Sequence, residues 1–131
     1  MDRMYIECSL YGFLLDGDVF FNIDDKKLLR YSENDAERSV FFKAIPLNDI
    51  QVRLLIYLLE NSQAAVIHKN DILENVWDEF GLLSSYQRLW QTVNEVRKKL
   101  SAMGLSDDFI TNVHGIGYSI DSPKVMSLLI K

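Results

Sequence analysis

Leu89, Val93, Val96, Leu100 and Met103 recur at spacings of four, three, four and three. At about 100° per residue these side chains form one narrow apolar stripe on a helix. Gln87, Gln91, Asn94 and Lys98 lie directly opposite, with Arg88, Glu95 and Lys99 on one flank and Arg97 and Trp90 on the other. A helix divided in this way presses one face into a core and turns amides and cations outward. Gly104 supplies its stop, so the pattern predicts a helix over 86–103. Trp90 lies off the stripe. It is assigned chiefly to packing against an earlier helix or a later hairpin, and a base or sugar contact is the lesser alternative.

This segment stands out electrostatically. The 131-residue chain carries a formal net charge of -5, yet residues 84–104 hold Arg88, Arg97, Lys98 and Lys99 against the single carboxylate Glu95. An acidic chain cannot coat polyanions at large, so any contact with one uses a localised face. Cations near a helix C-terminus also complement the helix dipole, which is a second reason for Arg97, Lys98 and Lys99 to be there.

Upstream, "YGFLLDGDVFFNID" contains two β-prone runs joined at Asp16-Gly17, a favoured tight-turn dipeptide. "KKLLRYS" and "SVFFKAI" follow across the polar "ENDAER", which predicts a small antiparallel sheet within 1–46. Asn48 then offers an N-cap, Gln51 a capping-box partner, and Leu47 with Val52 a hydrophobic staple. Ile50, Leu54, Tyr57 and Leu58 give the first helix its inward face, and it stops near Asn61. A shorter helix from about Lys69 to Val76 turns Ile72, Leu73 and Val76 inward, and His68 caps it poorly. "DEFGLLSS" breaks the pattern before the third helix, and "FITNVHGIGYSI" reads as a closing hairpin. The expectation is an α+β fold in one domain over 1–121, with the sheet at 1–46, three helices at 47–103 and the hairpin at 109–121. Residues 122–131 form a tail, whose "VMSLLIK" fits a last strand, a dimer contact or the lead-in to further chain.

Several function classes drop out. One cysteine, Cys8, cannot build an internal disulfide framework, and His68 and His114 are too far apart for a closed zinc site. Asp24-Asp25 and Asp107-Asp108 look like turn acids, with no nucleophile or histidine placed beside them. The glycines at 115 and 117 belong to a hairpin, not to a phosphate loop. Neither an enzyme nor a cofactor or metal site is therefore expected. No apolar run approaches the ~20 residues that span a bilayer, and "MDRMYIECSL" lacks a secretory signal, which predicts a cytoplasmic location.

Four motifs carry a family resemblance: "LLIYLLEN", "DILENVW", "QTVNEVRKKL" and "VHGIGYSI". In this order they make Leu47–Ile120 resemble the DNA-binding domains of bacterial OmpR/PhoB-class response regulators. The segment is also similar to the cytoplasmic domains of ToxR-like and CadC-like regulators. The resemblance implies a winged helix-turn-helix with an N-terminal antiparallel β-sheet, three helices and a C-terminal β-hairpin wing. The 46 residues ahead of it are too few for a receiver domain, which favours the one-component ToxR-like branch. An apolar run beyond Lys131 would then anchor the protein to the cytoplasmic face of the inner membrane.

The resemblance also implies roles. The third helix enters the major groove of double-stranded DNA, with Gln87, Arg88, Gln91, Thr92, Asn94, Glu95 and Lys98 facing it. Trp77, Arg97 and Tyr118 resemble positions that touch or brace phosphates, and Asn112 and His114 match wing positions near the minor groove. Phe80, Leu82 and Leu83 fall in the loop expected to meet RNA polymerase, unless that loop folds back on the core. A dimer or tandem pair on repeated half-sites is the expected working form. The chemistry agrees: Gln and Asn pair bidentately with adenine, Arg with guanine, and Glu accepts from cytosine. Glu95 also remains open to pairing with Arg88 or to plain solvation. His114 stands where relatives carry Arg or Lys, which weakens the wing contact at neutral pH. With the overall charge, it supports a rival reading as a protein-interaction winged helix with weak or no DNA binding.

Overall fold

The computed structural model describes residues 8–131. The expectations for residues 1–7, including the start of the domain, lie outside the described residues. The chain opens with four antiparallel strands, β1 (Ser9–Leu15), β2 (Val19–Asn22), β3 (Lys27–Asn34) and β4 (Ser39–Pro46). Asp16 and Gly17 both take positive φ, 53° and 72°, as the mirror-image turn between β1 and β2 requires. Alternation then buries Phe13, Leu15, Val19, Phe21 and Leu28 on one face.

Within the C-terminal tail, the residues of the apolar run take the first of the three readings offered, a last strand. They form β8 (Val125–Ile130), which pairs antiparallel with β1. The five-stranded order is β4-β3-β2-β1-β8. Without β8, the second edge of β1 would leave a row of backbone groups unpaired. The apolar V-M-S-L-L-I run satisfies them, and Asp16 N donates to Lys124 O at 2.8 Å where the two meet.

Helix α1 (Asp49–Glu60) starts at the expected capping box. Gln51 N donates to Asn48 Oδ1 at 2.9 Å, and Asn48 N donates to Gln51 Oε1 at 3.1 Å. Its buried arc is wider than the sequence stripe. Leu55 and Leu59 join Leu54 and Leu58 in the core, while Ile50 and Tyr57 stay at the border, partly buried.

Helix α2 (Lys69–Ile72) continues into a π-helical turn (Leu73–Trp77) and a 3-10 turn (Asp78–Phe80), so helical backbone outruns the expected end at Val76. His68 makes no side-chain cap. The start is held by the wing instead. Residues before it form β5 (Ile67–His68) on a second sheet with β6 (Ile110–Val113) and β7 (Gly117–Ile120), ordered β5-β7-β6. Lys69 N donates to Ile116 O at 3.1 Å beside it. The hairpin expected over 109–121 is β6 and β7; the short third strand was not foreseen.

Helix α3 (Tyr86–Ala102) carries the five-residue apolar stripe. Ser85 caps it, its Oγ accepting from Arg88 N at 3.1 Å. Leu89, Val93, Val96 and Leu100 are buried, and so is Met103 just past its end. They merge with the sheet and the other helices into one core cluster. The last carbonyls of the helical run are taken by cations of the first sheet: Arg30 donates to Met103 O at 2.7 Å and Lys43 to Ala102 O at 2.6 Å.

Gly117 marks the closest approach in the wing. A Cβ there would strike the carbonyl of Ile67 across the β5–β7 pair. Gly117→Ala should therefore force β5 and β7 apart and cost about 2 kcal/mol, lowering the melting temperature by roughly 6–10 °C. Thermal denaturation followed by circular dichroism checks this, and an unchanged midpoint would contradict the tight packing.

Candidate nucleic-acid interface

The outward face of α3 is polar. Gln87, Arg88, Gln91 and Lys98 are exposed. Among the described residues, no hydrogen bond or ion pair engages their side chains. Such a row can exchange water for an external partner without first breaking an internal bond. His114 is exposed at the turn between β6 and β7, where Gly115 takes a φ of 74°.

Arg97 joins helix to wing. Its Nε and Nη2 donate to Ile110 O at 3.2 and 3.0 Å, and Nη2 also donates to Asn112 Oδ1 at 2.8 Å. Its Nη1 donates to Asn94 Oδ1 at 2.9 Å. Three of the expected site residues thus form one bonded unit, and the planar guanidinium fixes the angle between α3 and β6. Burial pushes the nearby Tyr118 phenol above its ordinary value, and the positive charge of Arg97 partly offsets that.

A second network sets the other flank. Lys99 Nζ donates to Pro46 O at 2.7 Å and to Gln51 Oε1 at 2.8 Å. Gln51 Nε2 in turn donates to Glu95 Oε1 at 3.2 Å. Glu95 is therefore tied to the capping residue of α1, an arrangement not among the three options the sequence left open.

Two placements correct the sequence reading. Thr92, expected to face the groove, is buried, and its Oγ1 donates to Arg88 O at 2.8 Å. It sits one position from the stripe residue Val93, and a short side chain that back-bonds to its own helix does not reach outward. Trp90, assigned mainly to packing, is exposed on the rim between α3 and the wing. Trp77 and Tyr118 both lie in the core cluster, and Tyr118 borders the cleft that Asn112 and His114 line. Sequence reasoning missed Tyr86 and Lys69 beside this surface: Tyr86 Oη donates to Asn70 Oδ1 at 2.7 Å, and Lys69 Nζ lies 4.5 Å from the centre of its ring.

An outward polar helix face with a wing bonded beside it is the arrangement of a winged-helix DNA-binding domain. Residues 43–120 match the family model described as "Transcriptional regulatory protein, C terminal", the OmpR/PhoB-type winged-helix DNA-binding domain. The chain belongs to this family. The match spans more than half of the chain, from within β4 to the end of β7. It makes the protein a DNA-binding transcriptional regulator of OmpR/PhoB type, and the family is not an enzyme family. No curated protein matches the chain. Among the described residues, no helix is long and apolar enough to cross a membrane.

The family's helix–wing geometry rests here on Arg97. Arg97→Ala should cost roughly 1.5–3 kcal/mol, because Asn94, Asn112 and the Ile110 carbonyl all lose a charged donor. Arg97→Lys should recover only part, since an ammonium cannot reproduce the fork. Chemical denaturation of the three proteins checks the order; equal stabilities would show that the wing is held without Arg97.

Proposed function

We propose that this regulator reads DNA sequence with α3 in the major groove and reaches the adjacent minor groove with the wing. The observation that carries the reading is the row Gln87, Arg88, Gln91 and Lys98, outward and without side-chain partners among the described residues, in a chain of net charge -5. The two amides select bases, and the two cations select guanine or neutralise phosphate. Asn94 and Asn112 stand beside them, oriented by Arg97. Glu95 helps hold α3 against α1 through Gln51 and stands at the margin of the reading face. A second copy on an adjacent half-site would double the modest charge each copy brings.

Arg88→Ala and Lys98→Ala should each weaken binding, while the melting temperature stays put because both side chains are exposed. Each lost phosphate contact should lower the slope of log affinity against log salt by about one. Fluorescence anisotropy on a bound operator across a salt series reads both quantities. Unchanged affinity in both variants would remove α3 as the reader.

One observation favours a second reading. The wing strands and their turn carry no Lys or Arg, and His114 holds the tip. A winged helix that binds protein instead would show no steep salt dependence toward DNA, so the same titration separates the two.

The loop between α2 and α3 is proposed to meet RNA polymerase. Leu83 is 80% exposed, the freest of the three residues assigned there. Phe80 lies under the guanidinium of Arg53, 4.3 Å from its ring centre, so it is partly engaged within the chain. Leu83→Ala should lower transcription from a target promoter by several-fold while leaving DNA affinity and melting temperature intact. A fall in melting temperature alone would make the loop a structural element.

A further inference from the structure

Three large apolar side chains stand exposed around the cleft between α3 and the wing. Trp90 is 56% exposed, Tyr86 54% and Ile116 46%. They line one cleft together with Lys69, Gln87 and His114. Trp90 also lines the neighbouring cleft with Asn94, Arg97 and Lys98, so its indole stands on the ridge between the two. Tyr86 lies one helical turn before Trp90 and is held in place by Asn70 and Lys69. Among the described residues, no hydrogen bond or ring contact engages the Trp90 indole.

Leaving so much aromatic surface in water forgoes the free energy that burial would bring. Here the surface is continuous with the DNA-reading face of α3. Its charge pattern is also specific: an apolar centre with Lys69 on one side and Arg97 and Lys98 on the other. A DNA strand presents the complementary pattern, apolar sugar carbons between regularly spaced phosphates. Three acids, Glu95, Asp107 and Asp108, also line the second cleft; Glu95 is tied to Gln51, and Asp107 accepts from Ser101 Oγ, eleven residues along α3 from Trp90.

We propose that Trp90 is a DNA-contact residue whose indole packs on the deoxyribose rings of the strand passing between α3 and the wing, with Tyr86 and Ile116 completing the apolar trough. This rests on the DNA-reading role of α3 and adds an apolar, salt-insensitive component to it. The contact positions the strand between the groove read by the helix and the groove reached by the wing.

The test uses the full chain and a duplex that the wild-type protein selects from a random-sequence pool. Trp90→Ala should lose roughly 10-fold in affinity, the scale of one aromatic stacking contact on nucleic acid. The salt slope should not change, because no ion pair is removed. Trp90→Phe should recover part of the loss, and the melting temperature should hold in both. A second duplex with uracil in place of thymine separates sugar from thymine methyl. A loss that persists on it supports the sugar contact, and a loss that disappears assigns the methyl and overturns the sugar contact. Emission gives an independent readout, because Trp77 is buried and Trp90 is the exposed indole. DNA should shift the wild-type emission to the blue and leave Trp90→Phe unmoved. Wild-type affinity in Trp90→Ala, with no emission change at saturating DNA, would overturn the proposal. If selection recovers no duplex for the wild type, the DNA-reading role fails first and the contact falls with it.

Discussion

The structure depends on how the C-terminal end of α3 is held. An α-helix leaves its last carbonyls without intrahelical partners. Here Arg30 from β3 takes Met103 O, Lys43 from β4 takes Ala102 O, and Gly104 with a φ of 97° ends the run. A Cβ at Gly104 would collide with the Arg30 guanidinium, so the stop and the tie share one requirement. The N-terminal sheet is thus the platform that sets the direction of α3. The apolar stripe fixes its rotation about its own axis, because Leu89, Val93, Val96 and Leu100 admit one orientation toward the core. Direction and rotation together decide that Gln87, Gln91 and Lys98 face outward.

The gathering of cations on one helix of an acidic chain has a divided explanation. Lys99 is bonded to Pro46 O and Gln51, and Arg97 to Ile110 O, Asn94 and Asn112. These two are internal ties, one to α1 and one to the wing. Of the four cations on this helix, Arg88 and Lys98 face outward, with no side-chain partner among the described residues. Counting charge along the sequence therefore overstates what the helix offers a polyanion by a factor of two. The distinction matters because tied cations still contribute to the local field but cannot rearrange toward a phosphate without breaking charged hydrogen bonds.

Much of this architecture was legible in the sequence where a signal repeats or where a residue type has one structural use. The α3 stripe runs over five residues, the capping box at Asn48 and Gln51 has a fixed spacing, and Asp16-Gly17 marks its turn. The features that escaped are short or non-local. Strand β5 has two residues, too few to show a period, and exists because β7 offers it an edge. In sequence, strand β8 is one of three readings of its apolar run, because its partner, β1, lies at the opposite end of the chain. Thr92 and Trp90 escaped for a related reason: both flank the stripe, and helical geometry alone does not say how wide the covered arc is. Thr92 is buried on the flank where Glu95 and Lys99 are tied to α1, while the wing leaves a cleft beside Trp90.

On the proposed reading, an interface with two outward cations has a definite energetic character. Each neutralised phosphate contributes about 0.9 to the salt slope, so Arg88 and Lys98 together give a slope near 2 for one copy. That is a shallow dependence and implies little non-specific affinity, since non-specific binding is almost wholly electrostatic. Discrimination then rests on groups that act only in register: the amides of Gln87 and Gln91, and the apolar ridge at Trp90. An amide out of register is left desolvated and unpaired, at a cost comparable to its gain in register. Low background and a high penalty for misalignment push in the same direction. An acidic body around such a face strengthens the effect, because it repels DNA wherever the reading helix is not seated.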